Sequence, residues 1–142
     1  MPDVPHTPQP DSKKPASPSS FKSKGGLSRI LAATRYSFKG LKAAWIHEAS
    51  FRQEVIVASL LAIASIWLAP SLLFGVLMNA CLLMILGVEM VNSAIEALAD
   101  AVTLEHNEMI GRAKDLGSAA VLLSLLIALL VWGAALYLRF LA

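Results

Sequence analysis

Residues 72–100 read LLFGVLMNACLLMILGVEMVNSAIEALAD: seventeen consecutive residues without a charge, 72–88, then Glu89, Asn92, Glu96 and Asp100 on the continuation of the same helix. Seventeen helical residues reach about 26 Å, most of a hydrocarbon core about 30 Å thick. At 100° per residue the four polar side chains fall within roughly 80° of one another. They form one acidic stripe that starts where the apolar run ends. A charged residue in the membrane costs about 2.5–3.5 kcal/mol on insertion scales, so such a stripe is expected to face protein or a water-filled cavity.

Two further uncharged runs flank this one, at residues 55–69 and 116–138. The second reaches about 34 Å and can span unaided, whereas the first reaches only about 22 Å. Its helix must therefore begin earlier, near residue 49, with Arg52 and Glu54 at the interface. Pro70 and Ser71 make a tight hairpin between the first two runs, forcing antiparallel neighbours. Upstream, Leu27, Leu31, Thr34, Phe38, Leu41 and Trp45 recur at steps of four and three, with Arg29, Arg35, Lys39 and Lys42 beside or behind that stripe. This pattern predicts a basic amphipathic helix lying among lipid headgroups. The expected architecture is an all-α membrane protein: a surface helix over 27–48 and membrane helices over about 49–69, 72–100 and 114–138, together a single domain over 27–142.

Composition agrees. With 56% hydrophobic and 15% charged residues, a chain of 142 is too apolar for an ordinary soluble domain and too short for several. Residues 1–26 hold six of the seven prolines and no apolar period, and are expected to be a disordered tail. No apolar h-region of a signal peptide occurs there, so the tail is expected to stay on the side where it was made. Eleven of the twelve Lys and Arg flank one side of the spans and only Arg139 the other. The positive-inside rule then places the N-terminus in the cytoplasm and the C-terminus outside. Membrane lipids, and no nucleic acid, are the expected partners of the basic residues. The lone Cys81, in an apolar run, reads as a packing residue.

Three polar sets converge on the inner interface: Glu48, Arg52 and Glu54; the acidic stripe; and Arg112, Lys114, Asp115 and Ser118 in GRAKDLGS. Phosphoryl transfer from a cytosolic nucleotide to a lipid hydroxyl fits this convergence. Magnesium binds through one or two carboxylates plus substrate phosphates, so a pair such as Glu96 and Glu48 suffices. Lys114 or Arg112 could stabilise charge on the transferred phosphoryl group. Glu89, the most deeply placed carboxylate, suits a general base acting on a lipid hydroxyl. No glycine-rich phosphate loop is present.

The segments SFKGLKAAWIHEASFRQE, EMVNSAIEALAD and GRAKDLGSAAVL resemble the small bacterial integral-membrane diacylglycerol kinases, and the likeness runs from about Gly26 to the C-terminus. The resemblance implies a homotrimeric helical bundle in the bacterial inner membrane, with active sites shared between neighbouring protomers. It also implies transfer of the γ-phosphate of Mg-ATP to 1,2-diacylglycerol, giving phosphatidic acid. By position, Glu89 is the implied catalytic base, and Glu48 and Glu96 hold Mg2+ and the ATP phosphates. Arg29, Tyr36, Asn92, Lys114 and Asp115 are implied nucleotide contacts, with Glu105, His106 and Asn107 where the family's loop meets the nucleotide. Arg29, Ser37, Trp45, Arg52, Glu54, Glu89 and Ser118 line the implied lipid side, with Trp67 and Trp132 deeper. Phe38, Ala101 and the His106-Asn107 pair depart from the family pattern, and the last leaves the nucleotide-loop assignments open.

Plainer roles compete. Arg52 and Glu54 read equally as an interfacial ion pair, and Asp100, Glu105 and Glu108 as solvated loop charges. His47 and His106 lack zinc-ligand spacing, and Trp67, Trp132 and Tyr137 could serve as interface anchors. Undecaprenol kinase is the near alternative function, against which FRQE at 51–54 argues. An oligomeric proton or cation channel titrating at Glu89 is the alternative of another class, and it has no use for Lys114.

Overall fold

A computed structural model describes residues 26–142. Of the segment over 1–26 expected to be disordered, residues 1–25 lie outside the described residues and Gly26 is the first residue of a helix. Four helices succeed one another: α1, Gly26–His47; α2, Ala49–Leu68; α3, Leu72–Val102; and α4, Glu108–Phe140. No strand occurs among the described residues. The chain divides into two compact units, one ending at Ser37 and the other running from Phe38 to Ala142. The second unit holds the later part of α1 and the whole of α2, α3 and α4.

Helices α2, α3 and α4 are each long and apolar enough to cross a membrane. The 20 residues of α2 reach about 30 Å, the thickness of a hydrocarbon core, while the 31 of α3 and 33 of α4 overshoot it. Local chemistry sets the ends. Pro70 biases the residue before it away from helix, and Ala69 is extended at φ −68°, ψ 127°. Ser71 then caps α3, its hydroxyl accepting from the Phe74 N–H at 3.4 Å.

The connection left by the expected helices, about 101–113, is much shorter. Helix α3 continues to Val102 and α4 begins at Glu108, not near 114, because Asn107 caps it. The Asn107 side-chain oxygen accepts from the N–H groups of Met109 at 3.0 Å and Ile110 at 3.2 Å. Asp100 and Glu108 are consequently helical, and of the three acids expected in loops only Glu105 lies between elements.

Helix α3 is the centre of the packing, chiefly against α4 and secondarily against α2. Met78 is wholly buried, and its carbonyl accepts a 3.4 Å hydrogen bond from the Trp132 indole N–H of α4. Nearby, Cys81 and Ile85 close on Ala128 and Val131. Cys81 is a free, buried thiol, in keeping with the packing role its sequence context suggests. Small residues let helices approach closely in lipid, where packing and interhelical hydrogen bonds replace the hydrophobic effect. At the hairpin end, Asn79 of α3 donates from Nδ2 to the Ser65 hydroxyl of α2 at 2.8 Å and to its own helix at Gly75 O, also 2.8 Å.

The outer faces remain apolar and open: Ile66 and Leu130 are both 73% exposed. On α1, Phe38, Leu41 and Trp45 of the expected stripe are exposed, and Ala44 is the buried residue. The small face of the helix, Gly40, Ala43 and Ala44, turns to α3.

Candidate active site

The end of the bundle opposite the Pro70 hairpin gathers the N-terminus of α2, the C-terminal part of α3 and the N-terminus of α4. Glu89 of α3 is buried there, 6% exposed, and Asn92 and Ser93 one turn on are buried at 9% and 8%. The acidic stripe read from the sequence therefore points inward at its deep end and emerges at Asp100, which is exposed.

Each stripe residue has a distinct neighbour. Glu54 of α2, half-buried, faces Glu89, and the two carboxylates repel one another. One Glu54 oxygen, Oε2, is buried without a hydrogen-bond partner. Arg52 does not pair with it; the guanidinium instead donates to the carbonyls of Trp45 and Ile46 at 3.0 and 3.2 Å, closing the C-terminus of α1. Asn92 donates from Nδ2 to Glu96 Oε1 at 3.1 Å. Its Oδ1 is buried, unpartnered and pressed against α4, where a Cβ on Gly117 would stand 2.5 Å away. Lys114 of α4 donates to Asp100 Oδ1 at 2.6 Å and also feels the charge of Glu96.

Glu48 stands at the corner between α1 and α2, where its extended backbone (φ −104°, ψ 112°) breaks the helix. Its side chain makes no capping hydrogen bond. The residue lines a cavity of about 370 Å³ between α1 and α3, across from Met90, Ser93 and Ala97. A second cavity, of about 220 Å³, opens beside Glu54 and is apolar below it, lined by Val57 and Leu61 of α2, Ile85 and Leu86 of α3, and Leu125 of α4.

The sequence-derived candidates thus separate into groups. Glu54, Glu89, Asn92, Glu96 and Lys114 converge, with Glu48 at the neighbouring cavity. Asp115 and Ser118 are exposed on α4, and Trp45 is exposed on α1. Glu105 and His106 lie in the exposed 103–107 connection with the cap Asn107, where the Glu105 N–H donates to Thr103 Oγ1 at 3.0 Å. Trp132, bonded at Met78, stands about 16 Å along α3 from Glu89, and Trp67 about 20 Å along α2 from Glu54. Neither tryptophan touches the carboxylates. Arg29, Tyr36 and Ser37 lie on the part of α1 in the first unit, all exposed, with the Ser37 hydroxyl donating to Ala33 O at 3.0 Å.

Two contributors were missed in the sequence: buried Ser93, and Asp100 as the lysine's partner. Both sit in recognised motifs, but only the register of α3 against α1 and α4 reveals their roles. No group of three or more His, Cys, Asp or Glu gathers to hold a metal among the described residues. A magnesium ion shared with phosphates requires only one or two carboxylates, and the hard oxygens of Glu96 and Glu48 fit that demand.

Comparison with known proteins shows the family of the chain. The family described as "Prokaryotic diacylglycerol kinase" matches residues 35–136. The diacylglycerol kinase of Escherichia coli is 45% identical over 107 residues, covering 75% of this chain and 88% of its own. That of Pseudomonas aeruginosa is 45% identical over 116 residues, 82% and 94% of the two chains. The Haemophilus influenzae enzyme is 38% identical over 112 residues, 79% and 95%.

Proposed function

This chain belongs to the prokaryotic diacylglycerol kinase family, and we propose that it phosphorylates diacylglycerol with Mg-ATP, giving phosphatidic acid at the cytoplasmic face of the bacterial inner membrane. The carrying observation is the position of Glu89: buried, facing Glu54 at the head of an apolar cavity, and one turn before Asn92 with its bond to Glu96. A greasy alcohol and a charged nucleotide need such a boundary to meet.

In the proposed reaction the lipid hydroxyl lies against Glu89, with the apolar slot beside Glu54 taking hydrocarbon next to the glycerol. Glu89 accepts the hydroxyl proton as the lipid oxygen bonds to the γ-phosphorus. The bond from that phosphorus to the β,γ-bridging oxygen breaks, and ADP leaves with the electron pair. Lys114 presents donors to the phosphoryl oxygens, where preorganised charge lowers the barrier most. Asn92 holds the Glu96 carboxylate in a fixed rotamer. Glu96 and Glu48 would hold Mg2+ with ATP, and the bound ion would supply neutralisation of phosphate charge. Arg29, Tyr36, Asp115 and the 105–107 connection are proposed nucleotide contacts. Ser37, Trp45, Arg52 and Ser118 are proposed lipid contacts, with Trp67 and Trp132 deeper in the bilayer. The functional unit is proposed to be a homotrimer, with the N-terminus cytoplasmic and the C-terminus periplasmic.

The test is transfer of labelled phosphate from ATP in mixed micelles containing diacylglycerol, undecaprenol or no acceptor. Magnesium-dependent phosphatidic acid from the diacylglycerol arm alone is expected. Preferential labelling of undecaprenol would reassign the acceptor, and no transfer in any arm, together with ion flux after reconstitution into sealed vesicles, would replace the kinase with a channel.

A further inference from the structure

We infer that Asp100 is a positioning residue for phosphoryl transfer, holding the Lys114 ammonium at the place where the nucleotide phosphates arrive. The inference rests on the reading of Lys114 as a phosphate contact. Three observations carry it. The Lys114 Nζ lies 2.6 Å from Asp100 Oδ1, a charge-assisted hydrogen bond from α4 to α3. Asp100 sits one helical turn beyond Glu96, whose charge also acts on that ammonium, so the lysine is caught between two carboxylates of one stripe. The pair is open to solvent, with side chains 38% and 56% exposed, on the side from which a soluble nucleotide must approach.

The exposure of the pair argues against a purely structural tie. Solvent-exposed ion pairs contribute only about 0.2–1 kcal/mol to stability, a small return beside the long packed contact of α3 with α4. A free lysine, by contrast, loses about 2 kcal/mol of rotamer entropy when a ligand fixes it. Asp100 removes part of that cost in advance. An ammonium has three donors and Asp100 occupies one, leaving two for phosphate oxygens. The carboxylate thus orients the lysine without consuming it.

Steady-state kinetics of the full chain in mixed micelles test this with four variants: Asp100→Asn, Asp100→Glu, Lys114→Gln and the double Asp100→Asn/Lys114→Gln. Asp100→Asn is expected to raise the KM for ATP about threefold, with any loss of kcat no larger and the KM for diacylglycerol unchanged. Asp100→Glu should recover part of the loss, since the charge is retained on a longer stem. Lys114→Gln should raise the ATP KM by at least about tenfold, the value of a hydrogen bond to a charged group. In that background Asp100→Asn should add nothing. An unchanged or lowered ATP KM in Asp100→Asn, beside an impaired Lys114→Gln, overturns the role of Asp100 alone. An unaltered ATP KM in Lys114→Gln removes the phosphate contact itself and the inference with it, while diacylglycerol phosphorylation by the unsubstituted chain still stands on its own assay.

Discussion

Glu89 is the residue on which the proposed chemistry turns, because no other carboxylate is as deeply buried among the described residues. Glu89→Gln keeps the volume and removes the base; turnover should fall by at least about a hundredfold while ATP binding, measured by equilibrium dialysis, persists. Near-normal turnover in that variant would leave the proton without an acceptor. The stripe of Glu89, Asn92 and Glu96 was legible in the sequence because helical period alone brings those residues together. What each faces was not legible. The 2.6 Å tie from Lys114 to Asp100 and the pressure of Asn92 on Gly117 depend on how far α3 and α4 slide past one another, and no single-helix pattern records that. For the same reason Arg52, beside Glu54 in sequence, caps the carbonyls of α1.

Among the elements, the contact of α3 with α4 is set at Gly117, where an added Cβ would come within 2.5 Å of Asn92 Oδ1. Gly117→Ala should therefore push the carboxamide aside, loosen its 3.1 Å bond to Glu96 and cost about 1–3 kcal/mol by overpacking. Thermal unfolding in micelles, together with activity, measures both effects. Gly87→Ala on the same α3 is the control: nothing lies within 4 Å of its Cβ position, and it should be tolerated. At the start of α4, Asn107→Ala should cost about 1 kcal/mol through loss of the cap, and Asn107→Asp should retain it. If Asn107→Asp keeps the stability but weakens ATP binding, the side chain touches nucleotide as well as capping the helix. The cap also explains why α4 starts earlier than its apolar run suggests. Asparagine in a polar stretch reads equally as a loop residue until its partners at 109 and 110 are seen.

At the scale of the molecule, three spans were readable from uninterrupted apolar runs, but the lipid-facing and chain-facing surfaces were not. Leucine serves either surface, since lipid tails are as apolar as its side chain. If the active site is shared between protomers, mixing Glu89→Gln with Lys114→Gln chains should give more activity, at subsaturating ATP, than either variant alone. Mixed oligomers assayed after co-reconstitution check this, and absence of any recovery would put each site within one chain. The hydrogen bond from Asn79 to Ser65 bears on how such a site is entered. The α2/α3 hairpin is built like a clothes-peg, sprung at residues 69–71 and clipped just inside the spring. The clip ties the two arms near residues 65 and 79 and leaves their far ends untied, so the jaws are at Glu54 and Glu89, on the side proposed to take the lipid.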